Sequence, residues 1–388
     1  MRLIHSSDLQ IGKVFTYFEP SVAALLQDAR QAVIRTLGEL ALQHGASAVL
    51  LAGDIYDKQQ LSQQTLAKPI EAMRQFPRVH WHLLPGNHDH WREKGLWDRL
   101  SRANMPPNVH LHVESGAVQI MDDDGTPVYL LPAPLSHIAN VDDLTSYMDS
   151  AATPNGAIRI GLAHGSIQGF GSDGDASNYI LPTRAESAGL AYLALGDWHR
   201  QMRVSDRVWY SGTPEPDFFK RPADATGTRC NGGLALLVDV DDPRAVPRVT
   251  PLDVGRYRWH QLVRTLTDDS QIALLEADLR ALETDLSRIV LDLQVSGTLS
   301  LAGRRQFEET IIHGVGSAFC GIRFEDSGLV LEPSEADLDS IDRAGFVRVA
   351  ADRLKEIADD HSDPAQARIA ALALRRLYVE HLRQAGVA

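Results

Sequence analysis

A chain of 388 residues with a net charge of -13 is too long for one hydrophobic core and too acidic to coat nucleic acid with a basic surface, although a local basic groove is compatible with it. Two cysteines, Cys230 and Cys320, lie far apart and are too few for a disulfide framework; each reads as a small core residue in a reducing compartment. Met1-Arg2-Leu3-Ile4-His5 runs into polar Ser6-Ser7-Asp8 without a signal peptide's apolar core, and no apolar run approaches the roughly 18 residues that span a bilayer, so a cytoplasmic protein without membrane attachment is expected.

Leu3 to His5 reads as a short strand feeding a turn from which Asp8 and Gln10 project. Ala29, Val33, Leu37, Leu40 and Ala41 recur at helical spacing within residues 22–44, and Gly45 closes that helix. A strand at 48–52 ends in Gly53-Asp54, with Asp57 just beyond. A helix over 61–75 then leads to a strand at 79–84 that ends in Pro85-Gly86-Asn87-His88-Asp89-His90. Strand, helix, strand, helix, strand predicts a parallel or mixed sheet with right-handed crossovers, and its strand ends deliver polar residues to one edge. Extended pieces at 109–113, 118–121 and 128–131, separated by turn-rich text such as Asp122-Asp123-Asp124-Gly125, read as antiparallel additions.

The apolar strand 158–163 ends in His164-Gly165. Residues 169–177, rich in Gly, Asp and Ser, lack the Lys-Ser/Thr ending of a phosphate-cradling loop and read as a mobile surface loop. A strand at 190–195 ends in Gly196-Asp197-Trp198-His199, and strands at 208–210 and 233–240 complete the sheet. Pro- and Asp-rich text over 241–256 marks a domain boundary or a connecting linker arm. Beyond it, strand 257–266, helix 269–286, strand 289–295, helix 303–314 and strand 318–325 form a small α+β module. Two amphipathic helices follow, one striped by Phe346, Val349, Ala350, Leu354 and Ile357, the other by Leu374, Leu377, Tyr378 and Leu382. The stripes either pack within their own domain or form a groove site for a partner. The expected domains are 1–250, 257–333 and 336–388.

The strand ends thus offer Asp8 and Gln10, Asp54, Asn87 and His88, His164, and Asp197 and His199. Carboxylate, amide and imidazole groups gathered at one sheet edge are what a pair of divalent cations requires. A carboxylate has two oxygens and suits the ligand that two cations share, so Asp54 is the candidate bridge. Singly, each residue has a plainer reading: Asp after a strand is most often a turn former, and a lone His at a strand end is more often a satisfied core residue. Trp198 is read as packing sooner than as a base-stacking platform, and Lys220, Arg221, Arg304 and Arg305 as solvated charges sooner than phosphate contacts.

In order and spacing, Asp8-x-Gln10, Gly53-Asp54-x-x-Asp57, Gly86-Asn87-His88-Asp89, Ala163-His164-Gly165 and Gly196-Asp197-Trp198-His199 resemble the motifs of calcineurin-like metallophosphoesterases. The opening His5-Ser6-Ser7-Asp8-Leu9-Gln10-Ile11-Gly12 is most similar to the DNA-repair nuclease branch typified by SbcD subunits. The resemblance implies a four-layer α/β/β/α metallophosphoesterase sandwich with a small α+β cap domain and C-terminal helices. It further implies a two-metal phosphodiesterase that hydrolyses DNA as an exo- or endonuclease, paired with an SMC-like ABC ATPase and assembled as a homodimer.

Carried over by position, Asp8, Gln10, Asp54 and His199 would hold one cation and Asp54, Asn87, His164 and Asp197 the other. His88 and Asp57 would be the catalytic pair, His88 stabilising or protonating the leaving oxygen and Asp57, like Asp89, orienting its neighbours. Gln10 stands where the family usually has His, and Asp197 where it reads Gly-His-x-His. Both departures replace nitrogen by oxygen, which favours Mn²⁺ or Mg²⁺, Mn²⁺ first, and a more anionic shell predicts modest activity at mildly alkaline pH. The rival readings are a phosphatase or phosphodiesterase for small substrates and a non-catalytic DNA-end-binding scaffold.

Overall fold

The computed structural model describes residues 1–123, 125–168, 178–219, 232–331, 345–360 and 362–384. The segment 169–177, Lys220, Arg221, Cys230 and the side chains of Tyr378 and Leu382 lie outside what is described. The chain divides into two compact units, Met1–Trp259 and His260–Ala388. No described helix is long and apolar enough to cross a membrane.

The first unit runs β1 (Arg2–Ser6), α1 (Pro20–His44), β2 (Ala48–Leu51), α2 (Gln63–Arg74), β3 (His80–Leu83), α3 (Leu96–Ser101), β4 (Val109–Leu111), β5 (Val118–Asp123) and β6 (Thr126–Ala133). It continues through β7 (Ile158–His164), β8 (Ser166–Ile167), β9 (Tyr179–Ile180), α4 (Arg184–Ser187), β10 (Tyr192–Gly196), β11 (Met202–Arg203), β12 (Val208–Tyr210), β13 (Leu234–Asp239) and β14 (Arg248–Asp253). Two six-stranded sheets result, in the orders β14-β13-β1-β2-β3-β4 and β11-β12-β10-β7-β6-β5.

Pro20 opens α1 at a position where its missing N–H is no loss, and Gly45 closes it at φ 67°, its N–H returning to Ala41 and Leu42 carbonyls. Between those ends, Val33, Ile34, Leu37 and Ala41 bury one face of the helix against β1 to β3, together with Leu66, Ile70 and Met73 of α2. The opposite faces of the strands carry Leu3, Leu50, Leu130, Ile160, Leu162 and Leu236, which meet in a layer between the sheets. Against the outer face of the second sheet pack Met148, Ile180 and the short helix α4, through Ala185 and Ala188. The α/β/β/α order is therefore present, with its last helical layer reduced to short turns.

Pairing differs from expectation in three places. β4 adds to β3 in parallel and β6 adds to β7 in parallel, so that of the three extended pieces only β5 is an antiparallel addition. Segments 208–210 and 234–239 belong to different sheets, because β13 pairs with β1 and β12 with β10. The Pro-rich text after 240 is not a linker throughout: Arg248–Asp253 forms β14 on the sheet edge, where Pro251 has no ladder hydrogen bond to donate on its open side. The first unit accordingly runs beyond residue 250.

The second unit holds most of β15 (Arg258–Leu266), then α5 (Gln271–Arg280), β16 (Ile289–Leu299), α6 (Leu301–Phe307), β17 (Gly321–Leu331), α7 (Phe346–Ala358) and α8 (Pro364–Gln384). Its sheet runs β15-β16-β17 over a core of Leu275, Leu279, Leu291, Leu293 and Phe307. The packed face of α7 is Val347, Ala351 and Leu354, set against Leu374, Leu377 and Leu301. Phe346 and Val349 of the expected stripe are 86% and 70% exposed instead. Arg304 is held by Glu308 at 2.7 Å and Asp326 at 2.5 Å, and Cys320 is half-buried.

Candidate metal centre

Because β1, β2 and β3 are mutually parallel, as are β7 and β10, their carboxyl ends face one edge of the first unit. There the backbone bends sharply. Asp8, Gln10, Asp54 and Asp197 have φ of 55°, 46°, 52° and 109°, a region that costs a non-glycine residue roughly 1–3 kcal/mol and recurs at functional sites. Main-chain hydrogen bonds hold the bends: Asp8 N–H donates to Gly53 O at 3.1 Å and Gln10 N–H to Asp54 O at 2.9 Å. Two glycines are required by contact as much as by turn. A Cβ on Gly53 would lie 2.2 Å from His164 Nδ1, and one on Gly86 would lie 2.2 Å from Asp54 Oδ1.

Asp8, Asp54 and His164 each present a ligand atom within 4.8 Å of the others, all three buried. His164 Nε2 lies 3.6 Å from Asp54 Oδ1 and 3.8 Å from Asp197 Oδ1. Its Nδ1–H donates to the Ala52 carbonyl at 2.8 Å, which leaves Nε2 directed at the carboxylates. The Asn87 side-chain amide stands against both Asp54 oxygens, at 3.0 and 3.1 Å, and its Oδ1 lies 2.9 Å from His164 Nε2. Asp197 reaches the group through its own N–H, 3.2 Å from Asp8 Oδ2, while its carboxylate accepts from Ser166 Oγ at 2.7 Å. Gln10 and His199 stand together beside this cluster, Nε2 to Nε2 at 3.2 Å.

The electrostatics are those of anions crowded together out of water. Burial pushes the Asp8 carboxyl up, and Asp54 adds to the effect against the pull of His164 and His199. Burial opposes a charge on His164 as well, but Asp54, Asp8 and Asp197 outweigh it and lift the imidazole to about 9. A cation entering here must displace that proton, so acid competes with metal. Buried carboxylates, an amide and imidazoles facing one space are a donor set that fits divalent cations.

His88 stands on the rim, its side chain 43% exposed, with Nε2 3.9 Å from Asp54 Oδ2. Its main-chain N–H donates to Asp54 Oδ1 at 2.9 Å and its Nδ1–H to the Asp57 carbonyl at 2.9 Å. Asp57 thus meets His88 through its main chain. Asp89 braces the same loop, accepting from Gly86 N–H at 2.6 Å and Tyr56 N–H at 3.1 Å, and burial beside Asp54 raises its carboxyl to about 7. His5 bridges the two sheets, bonding Tyr192 at 2.9 Å and Leu195 at 3.1 Å, and Trp198 packs 6.2 Å from Tyr210.

Sequence reasoning missed Asp217. This buried carboxylate lies 3.2 Å from His199 Nδ1 and 3.0 Å from Arg30 Nη2, and it also pairs with Lys13. In the text it is one acid in a proline-rich turn, with no spacing that singles it out. Ser7, which donates to Asp8 Oδ2 at 2.5 Å, was equally silent.

Comparison with known proteins accounts for this arrangement. Residues 1–201 match the model of the calcineurin-like phosphoesterases, a span that contains every strand end described above and stops short of Asp217. An uncharacterised metallophosphoesterase of Bacillus subtilis (strain 168), YhaO, is 26% identical over 241 residues, which are 58% of this chain and 55% of that protein. The chain thus spans about half the length of that curated relative. The crystal structure of TT1561 of Thermus thermophilus matches with a TM-score of 0.39 at 13% identity, over 65% of this chain and 98% of that one. With 201 of its 388 residues inside the family model, and with a buried Asp8, Asp54 and His164 cluster of the kind metal-dependent phosphoester hydrolysis requires, this chain belongs to the calcineurin-like phosphoesterase family.

Proposed function

We propose that this protein hydrolyses DNA phosphodiesters as a member of the SbcD-like nuclease branch, using two divalent cations with Mn²⁺ preferred. Asp8, Gln10, Asp54 and His199 would hold one cation, and Asp54, Asn87, His164 and Asp197 the other. The observation that carries the reading is the buried Asp8, Asp54 and His164 cluster, with Asn87 and Asp197 around it. Bound cations would supply the positive charge that a phosphodiester develops a need for as it is attacked. The chain's own residues do the remainder. Asn87, its amide set against Asp54 and His164, would present its oxygen to the cation those two ligands share. His88, oriented by the Asp57 carbonyl and half open to solvent, would donate a proton to the leaving oxygen.

Support for DNA as the substrate comes from the His5-to-Gly12 motif and from the second folded unit after Trp259, which a small-molecule hydrolase has less need of. Oxygen ligands at positions 10 and 197 support Mn²⁺. The same branch brings the expectation of a cytoplasmic homodimer working with an SMC-like ABC ATPase, the terminal helices α7 and α8 being the segment offered to it. Linear duplex DNA incubated with the protein and Mn²⁺ is expected to release nucleotides, and an Asp54→Ala variant to release none. Hydrolysis confined to small phosphate esters would replace the nuclease with a phosphatase. Tight DNA binding without cleavage would replace it with a scaffold.

A further inference from the structure

Beside the Asp54 cluster, four side chains close a ring of hydrogen bonds. Lys13 Nζ donates to Gln10 Oε1 at 2.8 Å; Gln10 Nε2 faces His199 Nε2 at 3.2 Å; His199 Nδ1 faces Asp217 Oδ1 at 3.2 Å; and Asp217 returns to Lys13 through an ion pair. Proton placement in the ring is forced. A Gln amide nitrogen can only donate, so His199 Nε2 accepts and His199 Nδ1–H donates to Asp217. Gln10 can offer a cation nothing except its carbonyl oxygen, and that oxygen is taken by an ammonium. The lone pair of His199, with Gln10 and Asp8 one of the three ligands belonging to this half alone, is taken by Gln10.

Charge divides the centre in the same way. On the Gln10 side, Lys13 and Arg30 both face Asp217, so a fixed positive charge already stands beside Gln10 and His199. On the other side, Asp54 and Asp197 have no Lys or Arg ion partner among the described residues, and their neighbours are the imidazoles of His164 and His88. A divalent cation is drawn to the second group without obstruction. At the first it meets a resident cation of the same sign in a poorly screened site.

We infer that Lys13 is an internal competitor for the cation at the Gln10 and His199 half of the centre, so that the two metals bind unequally: one tightly, against Asp54, Asn87, His164 and Asp197, and a second only when the Lys13 ammonium is displaced. This rests on the metal reading proposed above and adds a residue to it. Lys13 is a positioning residue: it touches Gln10 and Asp217 and acts through them. It makes double occupancy, and with it hydrolysis, respond to Mn²⁺ in two steps.

Titrating the metal-free full chain with Mn²⁺ and following it by calorimetry and electron paramagnetic resonance tests this. The wild type is expected to show one tight site and a second weaker by roughly tenfold or more, with the isolated-ion spectrum persisting at one equivalent. Lys13→Met is expected to tighten the second site by about that factor and to give a spin-coupled pair at two equivalents, whereas Lys13→Arg keeps the wild-type inequality. Arg30 still faces Asp217 in Lys13→Met, so no buried carboxylate is stranded. Two sites of equal affinity in the wild type, or an unchanged second site in Lys13→Met, would overturn the role of Lys13. An absence of any Mn²⁺ binding would instead remove the metal reading itself.

Discussion

Two groups of histidines in the Met1–Trp259 unit have surroundings that drive them in opposite directions. At the strand ends, His164 and His199 lie among carboxylates; burial opposes their protonation, yet Asp54 and Asp8 raise the first, and Asp217 and Asp8 the second. Along the β3–β4 edge, His80, His82, His110 and His112 have one another for company. His80 Nδ1 meets His110 Nε2 at 3.1 Å and His82 Nδ1 meets His112 Nε2 at 2.9 Å, with each pair of rings within 18° and 23° of coplanar. His82 and His110 stack between the pairs, centroids 4.9 Å apart. Burial lowers His82 well below its usual range and His112 to about 4, and the neighbouring imidazoles push the same way. An N–H···N contact needs one donor and one acceptor, so neither pair tolerates a proton on both facing nitrogens. The same side chain thus faces carboxylates that favour its charged form in one place and serves as a neutral strut in the other, and what differs is whether an anion stands next to it.

The largest effect expected from breaking the first environment is Asp54→Asn. It should abolish Mn²⁺ binding and lower phosphodiester hydrolysis roughly 10³-fold, measured by calorimetry and nucleotide release, while the histidine edge keeps its acid response.

The edge itself is tested by pH. A His held at about 4 in the native state and 6.5 when unfolded leaves the native state with fewer protons between those values. Stability from His112 is therefore complete above pH 6.5 and declines as pH falls towards 4, by roughly 3 kcal/mol at most. Urea denaturation at pH 7.5 and 4.5 should show His112→Gln losing less on acidification than the wild type. The metal-free centre should slope the other way, because His164 is raised to about 9: its contribution is full below pH 6.5 and is lost as pH climbs through 9. His164→Gln should flatten that alkaline limb.

Two smaller effects sharpen the contrast within the centre. His88→Gln should cost about 10² in turnover and leave the Mn²⁺ isotherm unchanged, since His88 sits on the rim and is assigned a proton transfer. Asp217→Asn should weaken cation binding about tenfold by withdrawing the anion that orients His199 through Nδ1 and raises its basicity, and a loss in kcat with no change in metal affinity would contradict that role.

Asp54, Asn87 and His164 were legible because each follows an apolar strand that ends at a glycine or a Pro-Gly pair, or stands just before one, and parallel strands place such ends on one edge whatever the loops do. The helices α1 and α2 were legible for the same local reason: apolar period, Pro at one start and Gly at one end. Pairing partners were harder to read. Strand text says that β4, β6 and β12 are extended but not which neighbour each meets, so their parallel pairing went unseen. In α7, exposed Phe346 and Val349 fit an apolar stripe as well as Val347 and Ala351 do, and only packing against Leu374 chose between them.

By itself the sequence determined that polar ligand types would stand at successive strand ends, since alternation and turn chemistry act over a few residues and leave a local trace. Only the tertiary structure decided that Asp217 would grip His199 and Lys13, and that histidines from β3 and β4 would face each other as pairs. A hydrogen-bond partner or a screening charge is a matter of distance through space. Residues far apart along the chain acquire that distance only when the sheets close around them.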